Sequence, residues 1–202
     1  MKKTLSIVLS CAILVLGCAG CKKKMDLRLK TFEKYALKDL QLEKKEVSSQ
    51  DTNAYYDLDY MIDPNETENK RDHYVQVYST AQEGAASSMA MIYTDYASAD
   101  EARAFYDNIT KQEEDMLATS EKDIVTDKAD NHYLVLTREF GTNWVYDCLY
   151  IHNDVILYVT IVIGTSDVEN INKDWLKNIE KFFKDCGMKC PFSLSNEIDS
   201  LT

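Results

Sequence analysis

The sequence has little proline and glycine, with 2 prolines and 6 glycines in 202 residues. This composition excludes collagen-like chains and long flexible linkers. Basic residues are also in deficit, with 23 Lys and Arg against 34 Asp and Glu and a formal charge of −11. Because nucleic-acid binding relies on clustered Lys and Arg, we expect no nucleic-acid partner. The 45% of hydrophobic residues is too high for a wholly disordered chain.

Motifs of common catalytic and metal sites are absent from the sequence. The three histidines, His73, His132 and His152, are far apart, and there is no His-Glu-x-x-His segment or pair of Cys-x-x-Cys knuckles. A Gly-rich phosphate loop and a Gly-x-Ser-x-Gly elbow are also lacking. We therefore expect no metal and no cofactor, name no catalytic residue, and favour a non-enzymatic protein.

No apolar run at the N-terminus is long enough to span a bilayer. The run from Leu5 to Gly17 is interrupted by two serines and Cys11. Crossing about 30 Å of hydrocarbon takes about 20 apolar residues. The basic start, Met1-Lys2-Lys3, followed by a short apolar run is typical of a secretory signal peptide.

The end of this run carries two candidate lipidation sites. Val15-Leu16-Gly17 precedes Cys18, and Ala19-Gly20 precedes Cys21. These residues, with the basic start and the lysines at 22–24, resemble the lipobox of bacterial lipoproteins. In that family the Cys is diacylated and becomes the first residue of the mature protein. The resemblance implies lipidation at Cys18, with Cys21 as the alternative, and a bacterial membrane anchor facing outside the cytoplasm.

The rest of the chain predicts a single α+β domain with a mainly antiparallel sheet. We expect an N-terminal helix from Leu27, a middle helix after the capping box that Ser98 begins, and a C-terminal amphipathic helix after a second box at Ser166. Alternating segments predict strands, and the segment 113–131 between them is expected to be a polar connection. The predicted strands are 55–62, 73–79, 88–96, 132–138, 142–151 and 155–163.

These predictions divide the chain into a signal peptide, a lipidated tether, a globular domain and a polar tail. The boundaries are 1–17, 18–26, 27–190 and 191–202. The mature part resembles small uncharacterised bacterial surface lipoproteins in its order of elements, a resemblance that implies no activity.

The dipeptide Asn153-Asp154 predicts a two-residue hairpin loop that fixes which residues share a sheet face. His152 then pairs with Val155, so Cys148 and its even-numbered neighbours share a face with Leu157 and its odd-numbered neighbours. That face is almost entirely apolar and is expected to form the core under the last helix.

The opposite sheet face is more apolar than a water-facing sheet requires. Two interpretations stay open: either the N-terminal helix or the segment 55–62 covers this face, or part of it remains a binding surface. The candidate surface residues are Val145, Leu149, Ile151, Ile156 and Tyr158.

Two cysteines near the end of the last helix, Cys186 and Cys190, are separated by a segment containing Gly187. Outside the cytoplasm a disulfide is chemically permitted, and the glycine allows the chain to turn back. A disulfide and two free thiols are equally compatible with the sequence.

The functional hypothesis is an envelope lipoprotein that binds a small ligand or an envelope protein. One alternative is a hydrolase that uses paired carboxylates among Asp57, Asp59 and Asp147, which must lie about 5–10 Å apart in space. Another alternative is a subunit of an envelope complex.

Overall fold

The computed structural model of the protein describes residues 23–42, 54–59, 71–80, 87–119, 123–139, 143–164 and 172–194. The described helices are α1 (Leu29–Asp39), α2 (Ala99–Leu117) and α3 (Lys173–Cys186), and a 3-10 helix (Pro191–Leu194) follows α3. The described strands are β1 (Ala54–Asp59), β2 (Arg71–Thr80), β3 (Ser88–Tyr96), β4 (Asp123–Ala129), β5 (His132–Glu139), β6 (Asn143–His152) and β7 (Val155–Gly164). The predicted α+β class is confirmed.

The strands form one sheet in the order β1-β2-β3-β7-β6-β5-β4, with every neighbouring pair antiparallel. The pairing of β3 with β7 joins the first three strands to the last four. The sheet therefore holds the elements before and after α2 in one layer.

The predicted hairpin between β6 and β7 is confirmed in position and register. His152 pairs with Val155, and Tyr150 pairs with Leu157. Asn153 has a φ of 57°, a left-handed conformation that asparagine tolerates better than most residues. The turn chemistry thus fixes which side chains of both strands point to each face.

One sheet face packs against α1 and α3, as the apolar alternation of β6 and β7 predicts for the last helix. Side chains of β3, β5, β6 and β7 share a buried cluster with Phe32 and Ala36 of α1 and Phe182 and Phe183 of α3. The Phe32 and Phe182 rings meet edge to face with centroids 6.0 Å apart. Lys181 of α3 forms an ion pair with the buried carboxylate of Asp39 at the end of α1. The two helices and this face form the larger core.

Several boundaries differ from the prediction for identifiable reasons. Strand β4 lies in the segment predicted as a polar connection. Among its side chains with described burial, Val125 alone belongs to the larger core, so the apolar alternation that would predict a strand is weak. Helix α3 begins at Lys173, where the Asn172 side chain accepts hydrogen bonds from the Asp174 and Trp175 amides. The predicted second capping box at 166–169 lies outside the described residues.

Residues 23–27, here called the strap, lie on the body before α1 begins. Met25 and Leu27 are buried, and the Asp26 amide donates to the Cys186 carbonyl at 2.9 Å. The Tyr93 hydroxyl donates to the Leu27 carbonyl at 2.9 Å. The packed body therefore begins within the region predicted as a tether.

Gly187 ends α3 in the left-handed conformation, with a φ of 72°. A Cβ atom at this position would lie 2.5 Å from the carbonyl oxygen of Lys24 and 2.9 Å from that of Lys23. The glycine thus serves both as the predicted C-cap and as the place where the strap passes closest to α3.

The packed body also extends beyond the predicted C-terminal boundary at residue 190. Pro191 and Leu194 are buried, and the Phe192 ring contacts the Tyr146 ring with centroids 5.3 Å apart. Residues 191–194 therefore pack on the sheet, whereas the sequence analysis assigns them to the polar tail.

Candidate functional site

Helix α2 covers the sheet face opposite α1 and α3. It begins after Ser98, whose hydroxyl accepts a hydrogen bond from the Glu101 amide at 3.2 Å, as the predicted capping box requires. Ala102 and Tyr106 are buried against the sheet, and the Tyr106 hydroxyl donates to the Ala129 carbonyl at 3.3 Å. These contacts make a second, smaller core on this face.

Helix α2 is not one of the two possible covers that the sequence suggests. Helix α1, the first of them, packs with α3 on the other face, so that alternative is wrong. The alternative cover, the segment 55–62, is described as strand β1 only over 54–59, at the sheet edge. The sequence does not discriminate between the two faces, because both are apolar and all three helices are amphipathic.

The structure divides the candidate surface residues into two groups. Leu149, Ile151 and Ile156 are at most 4% exposed in the core beneath α2. Val145 is partly buried, and Tyr158 is 36% exposed at the margin of the helix. The predicted surface is therefore largely filled by α2, and its accessible remainder lies beside that helix.

An apolar cleft lies between α2 and the central strands. It has a volume of about 320 Å³. Strands β3, β6 and β7 form its floor, and α2 forms one wall. The lining residues are Ile92, Thr94, Tyr96, Phe105, Ile109, Glu113, Leu149, Ile156 and Tyr158. Three of the five candidate surface residues thus contribute to one cleft.

A much smaller cavity continues from this cleft and shares four residues with it: Ile109, Glu113, Leu149 and Tyr158. Its volume is about 20 Å³, which is about the space of one water molecule. Asp147 lines the smaller cavity. A carboxylate therefore borders each of the two connected spaces.

Asp147 is held in place by two hydroxyl groups on the neighbouring strand. Its Oδ1 atom accepts hydrogen bonds from the Tyr158 hydroxyl and from the Thr160 hydroxyl, each at 2.8 Å. Burial raises the pKa of Tyr158, and the charge of Asp147 raises it further. The tyrosine therefore stays protonated and acts as the hydrogen-bond donor in this pair.

Glu113 projects from α2 toward the cleft, four residues after Ile109 on the same helix face. Burial raises the pKa of Glu113, and the negative charge of Asp147 raises it further. Among the described residues that line the two spaces, none is basic. The charge of Glu113 is therefore not balanced by a cation within the cleft lining.

Sequence reasoning missed Glu113 as a site residue because it assigned this position to a polar connection. The available signal was the helical spacing of Phe105, Ile109 and Glu113. These residues are four apart, so Glu113 follows the apolar residues on the same face of α2.

Of the three acids proposed for a hydrolase, only Asp147 has a described side chain. The side chains of Asp57 and Asp59 lie outside the described residues, although the backbone of β1 is described. Asp147 and Glu113 both line the smaller cavity, and the charge of Asp147 raises the pKa of Glu113 in addition to the effect of burial. These two acids form the carboxylate pair that the described residues offer.

A second, wider groove lies at the opposite side of the sheet, where the strap meets the end of α3. Its volume is about 720 Å³, and its lining mixes lysines with acids. Lys189 forms an ion pair with Asp127, which lies 3.5 Å from His132 Nε2. Burial lowers the pKa of His132 despite this carboxylate. Two of the charged lining residues, Lys189 and Asp185, are therefore paired with side chains of the protein, Asp127 and Lys181.

The described cysteines are free thiols in buried surroundings. Burial raises the pKa of Cys186 to about 12 and that of Cys190 to about 11. Cys148 is fully buried in the larger core, and burial raises its pKa as well. A thiol with a raised pKa is a poor nucleophile. Of the two alternatives for Cys186 and Cys190, the structure has the free thiols, and chemical modification of the protein is the test that separates them from a disulfide.

The lipidation candidates Cys18 and Cys21 lie outside the described residues. Within the described ranges, no helix combines the length and hydropathy needed to cross a membrane. The same residues contain no group of three or more His, Cys, Asp or Glu side chains arranged to hold a metal ion.

Comparison with known proteins identifies no family for this chain. Neither a protein-family model nor a curated protein matches the sequence. Among solved structures, the chain is similar to the extracellular domain of PknH from Mycobacterium tuberculosis. The identity is 14% and the TM-score is 0.41, over 60% of this chain and 70% of the PknH domain.

Proposed function

We propose that the protein is a lipid-anchored extracytoplasmic binding module that takes a small, mainly apolar ligand in the cleft beside α2. The observation that carries this proposal is the cleft itself, with its apolar floor and one unbalanced carboxylate. Small-molecule sites typically combine an apolar lining with a few polar groups, in volumes of about 300–1,000 Å³.

The anchor rests on the sequence. Cys18 follows a short apolar run and a small residue, as in lipoproteins, and Cys21 is the alternative site. Two acyl chains stabilise membrane attachment at about 0.8 kcal/mol per buried methylene, enough for stable anchoring.

The strap limits the length of chain between such an anchor and the folded body. The Lys23 ammonium donates to the Tyr35 hydroxyl at 3.3 Å and to the Asp185 carbonyl, so the chain contacts the body from Lys23 onward. Residues 19–22 alone would then separate a lipidated Cys18 from the body. Since the strap packs with α1 and α3 and the cleft lies beside α2 on the opposite sheet face, an anchor that precedes the strap would join the body at the face away from the cleft.

A substitution that fills the cleft with a larger side chain tests ligand binding. Binding of 1-naphthalenemethanol to the full chain in detergent is measured by calorimetry, with the detergent blank subtracted. Ile109 lines both spaces, so Ile109→Trp places an indole in the cleft and should abolish saturable binding. Met116, which is 58% exposed on the same helix, provides the control Met116→Trp, which should bind as the wild type does.

The outcomes separate the candidate functions. Equal binding by wild type and Ile109→Trp, or no saturable binding by wild type, contradicts a ligand site in the cleft. The Glu113 and Asp147 pair keeps a hydrolase as the second candidate. Hydrolysis of the acetate ester of 1-naphthalenemethanol to the alcohol and acetate, lost in both Glu113→Gln and Asp147→Asn, would favour the hydrolase. Retention of a stoichiometric protein partner in detergent extracts would favour the envelope-complex alternative.

A further inference from the structure

We propose that the ligand of the cleft is an apolar molecule that carries a protonated amine. This inference rests on the proposed function, because it names the chemical class of the molecule that occupies the same cleft. The features that carry it are the apolar floor, the two carboxylates and the absence of basic side chains among the described residues that line the cleft and the adjoining cavity.

The floor and the α2 wall accommodate the apolar part of the ligand. Ile92, Ile156 and Phe105 line the main cleft away from the acids. Tyr96 lies beside them, with its ring centroid 5.4 Å from that of Phe105. Aromatic and aliphatic side chains of this kind bind hydrocarbon by removing it from water, at about 25 cal/mol per Å² of apolar surface.

The acids at the other end select the charge of the ligand. Glu113 and Asp147 repel each other, and Glu113 is partly desolvated, so both effects oppose its ionisation. An ammonium group between them would favour the ionised form and would donate charge-assisted hydrogen bonds to the carboxylates.

The Asp147 network makes this end of the cleft selective. The Tyr158 and Thr160 hydroxyls fix Oδ1 of Asp147, so this carboxylate is oriented before a ligand arrives. A preorganised acceptor loses less conformational entropy on binding than a mobile one. An anionic ligand such as a fatty acid would bring a third negative charge to the same end, which disfavours it.

Three probes of matched shape test the charge preference: phenethylamine, 2-phenylethanol and 3-phenylpropanoate. Each is titrated into the full chain in detergent at pH 7.5, with a detergent blank. We expect phenethylamine to bind about tenfold more tightly than 2-phenylethanol, the effect of one charge-assisted contact of about 1.4 kcal/mol. We expect 3-phenylpropanoate to bind more weakly than both.

Variants then assign the preference to Glu113. Glu113→Gln should remove the advantage of the amine over the alcohol, read as the ratio of the two affinities measured on that variant. Asp115→Asn changes an exposed acid on the same helix and should preserve the advantage. A loss in Asp115→Asn equal to that in Glu113→Gln would indicate non-specific attraction and would overturn the proposal.

The outcomes also distinguish this inference from the proposed function. If the alcohol and the amine bind the wild type equally and compete with 1-naphthalenemethanol, the cleft binds ligands and the amine preference is wrong. If 1-naphthalenemethanol binds and none of the three probes does, the amine preference is wrong and the cleft remains a ligand site. If none of the four compounds binds, the ligand site in the cleft fails, and the inference fails with it.

Discussion

The contact between Gly187 and the strap gives a prediction that links backbone geometry to the attachment of the N-terminal segment. Gly187→Ala places a side chain at a φ of 72°, which costs about 1–2 kcal/mol for a non-glycine residue. The added methyl group would also lie 2.5 Å from the Lys24 carbonyl oxygen. The oxygen belongs to the backbone and the methyl carbon is bonded directly to Cα, so no side-chain rotation relieves the contact.

Removal of Lys23 and Lys24 separates the free-energy cost of the steric contact from the cost of the left-handed backbone conformation at residue 187. In a chain spanning residues 22–202, the variant should displace Lys23 and Lys24 from α3. In a chain spanning residues 25–202, the strain alone remains, while the buried Met25 and Leu27 are retained. We expect a coupling free energy of about 1–2 kcal/mol between the substitution and the truncation, typical of groups in direct contact.

The assay is urea denaturation of the four proteins, followed by far-ultraviolet circular dichroism. Glycine and alanine forms are compared in each length, and the slopes of the transitions must agree for the free energies to be comparable. An equal cost of Gly187→Ala in both lengths would show that the strap does not contact α3 there, and it would refute the described path of the N-terminal segment.

Three further predictions concern the anchor, the pH dependence and the thiols. Metabolic labelling with a fatty-acid probe should be lost in Cys18→Ala; persistent labelling would move the site to the alternative cysteine. Glu113 has a pKa raised above its ordinary value of 4.5, so it stabilises the folded state at low pH and this contribution is lost as the pH rises through the raised pKa. Glu113→Gln should therefore melt at a higher temperature than wild type at pH 7, whereas Asp115→Asn should not; the opposite order would contradict the burial of Glu113. Native alkylation at pH 7.5 should be slow at both Cys186 and Cys190, with Cys190 reacting first, because burial raises both thiol pKa values and Cys190 is the more exposed; failure to alkylate after unfolding without reductant would instead indicate the disulfide.

The sequence was most informative where local chemistry and side-chain period act together. The turn at Asn153-Asp154 and the alternation on either side of it fix the β6–β7 register, and a shift by one residue would move Leu157 and Cys148 from the larger core to the sheet face under α2. The cap at Ser98 is similarly local, because its hydroxyl bonds an amide three residues later.

The site was less predictable because it depends on which sheet face each helix covers. The apolar stripe of α2 indicates that the helix packs on something, yet the same stripe fits either face of this sheet. The cleft lies where the side chains of α2 do not fill the space above the part of the sheet that contains Ile156. Such a space depends on tertiary packing and has no periodic pattern in the sequence.

The central claim is that a ligand occupies the cleft beside α2, and intermolecular nuclear Overhauser effects test it most directly. With methyl-labelled full chain and phenethylamine, we expect cross-peaks from the ligand ring to the methyl groups of Ile92, Ile109 and Ile156. The account also predicts that Ile109→Trp abolishes the cross-peaks to Ile92 and Ile156. Cross-peaks confined to methyl groups of the α1 and α3 face, or none at saturating ligand, would contradict it.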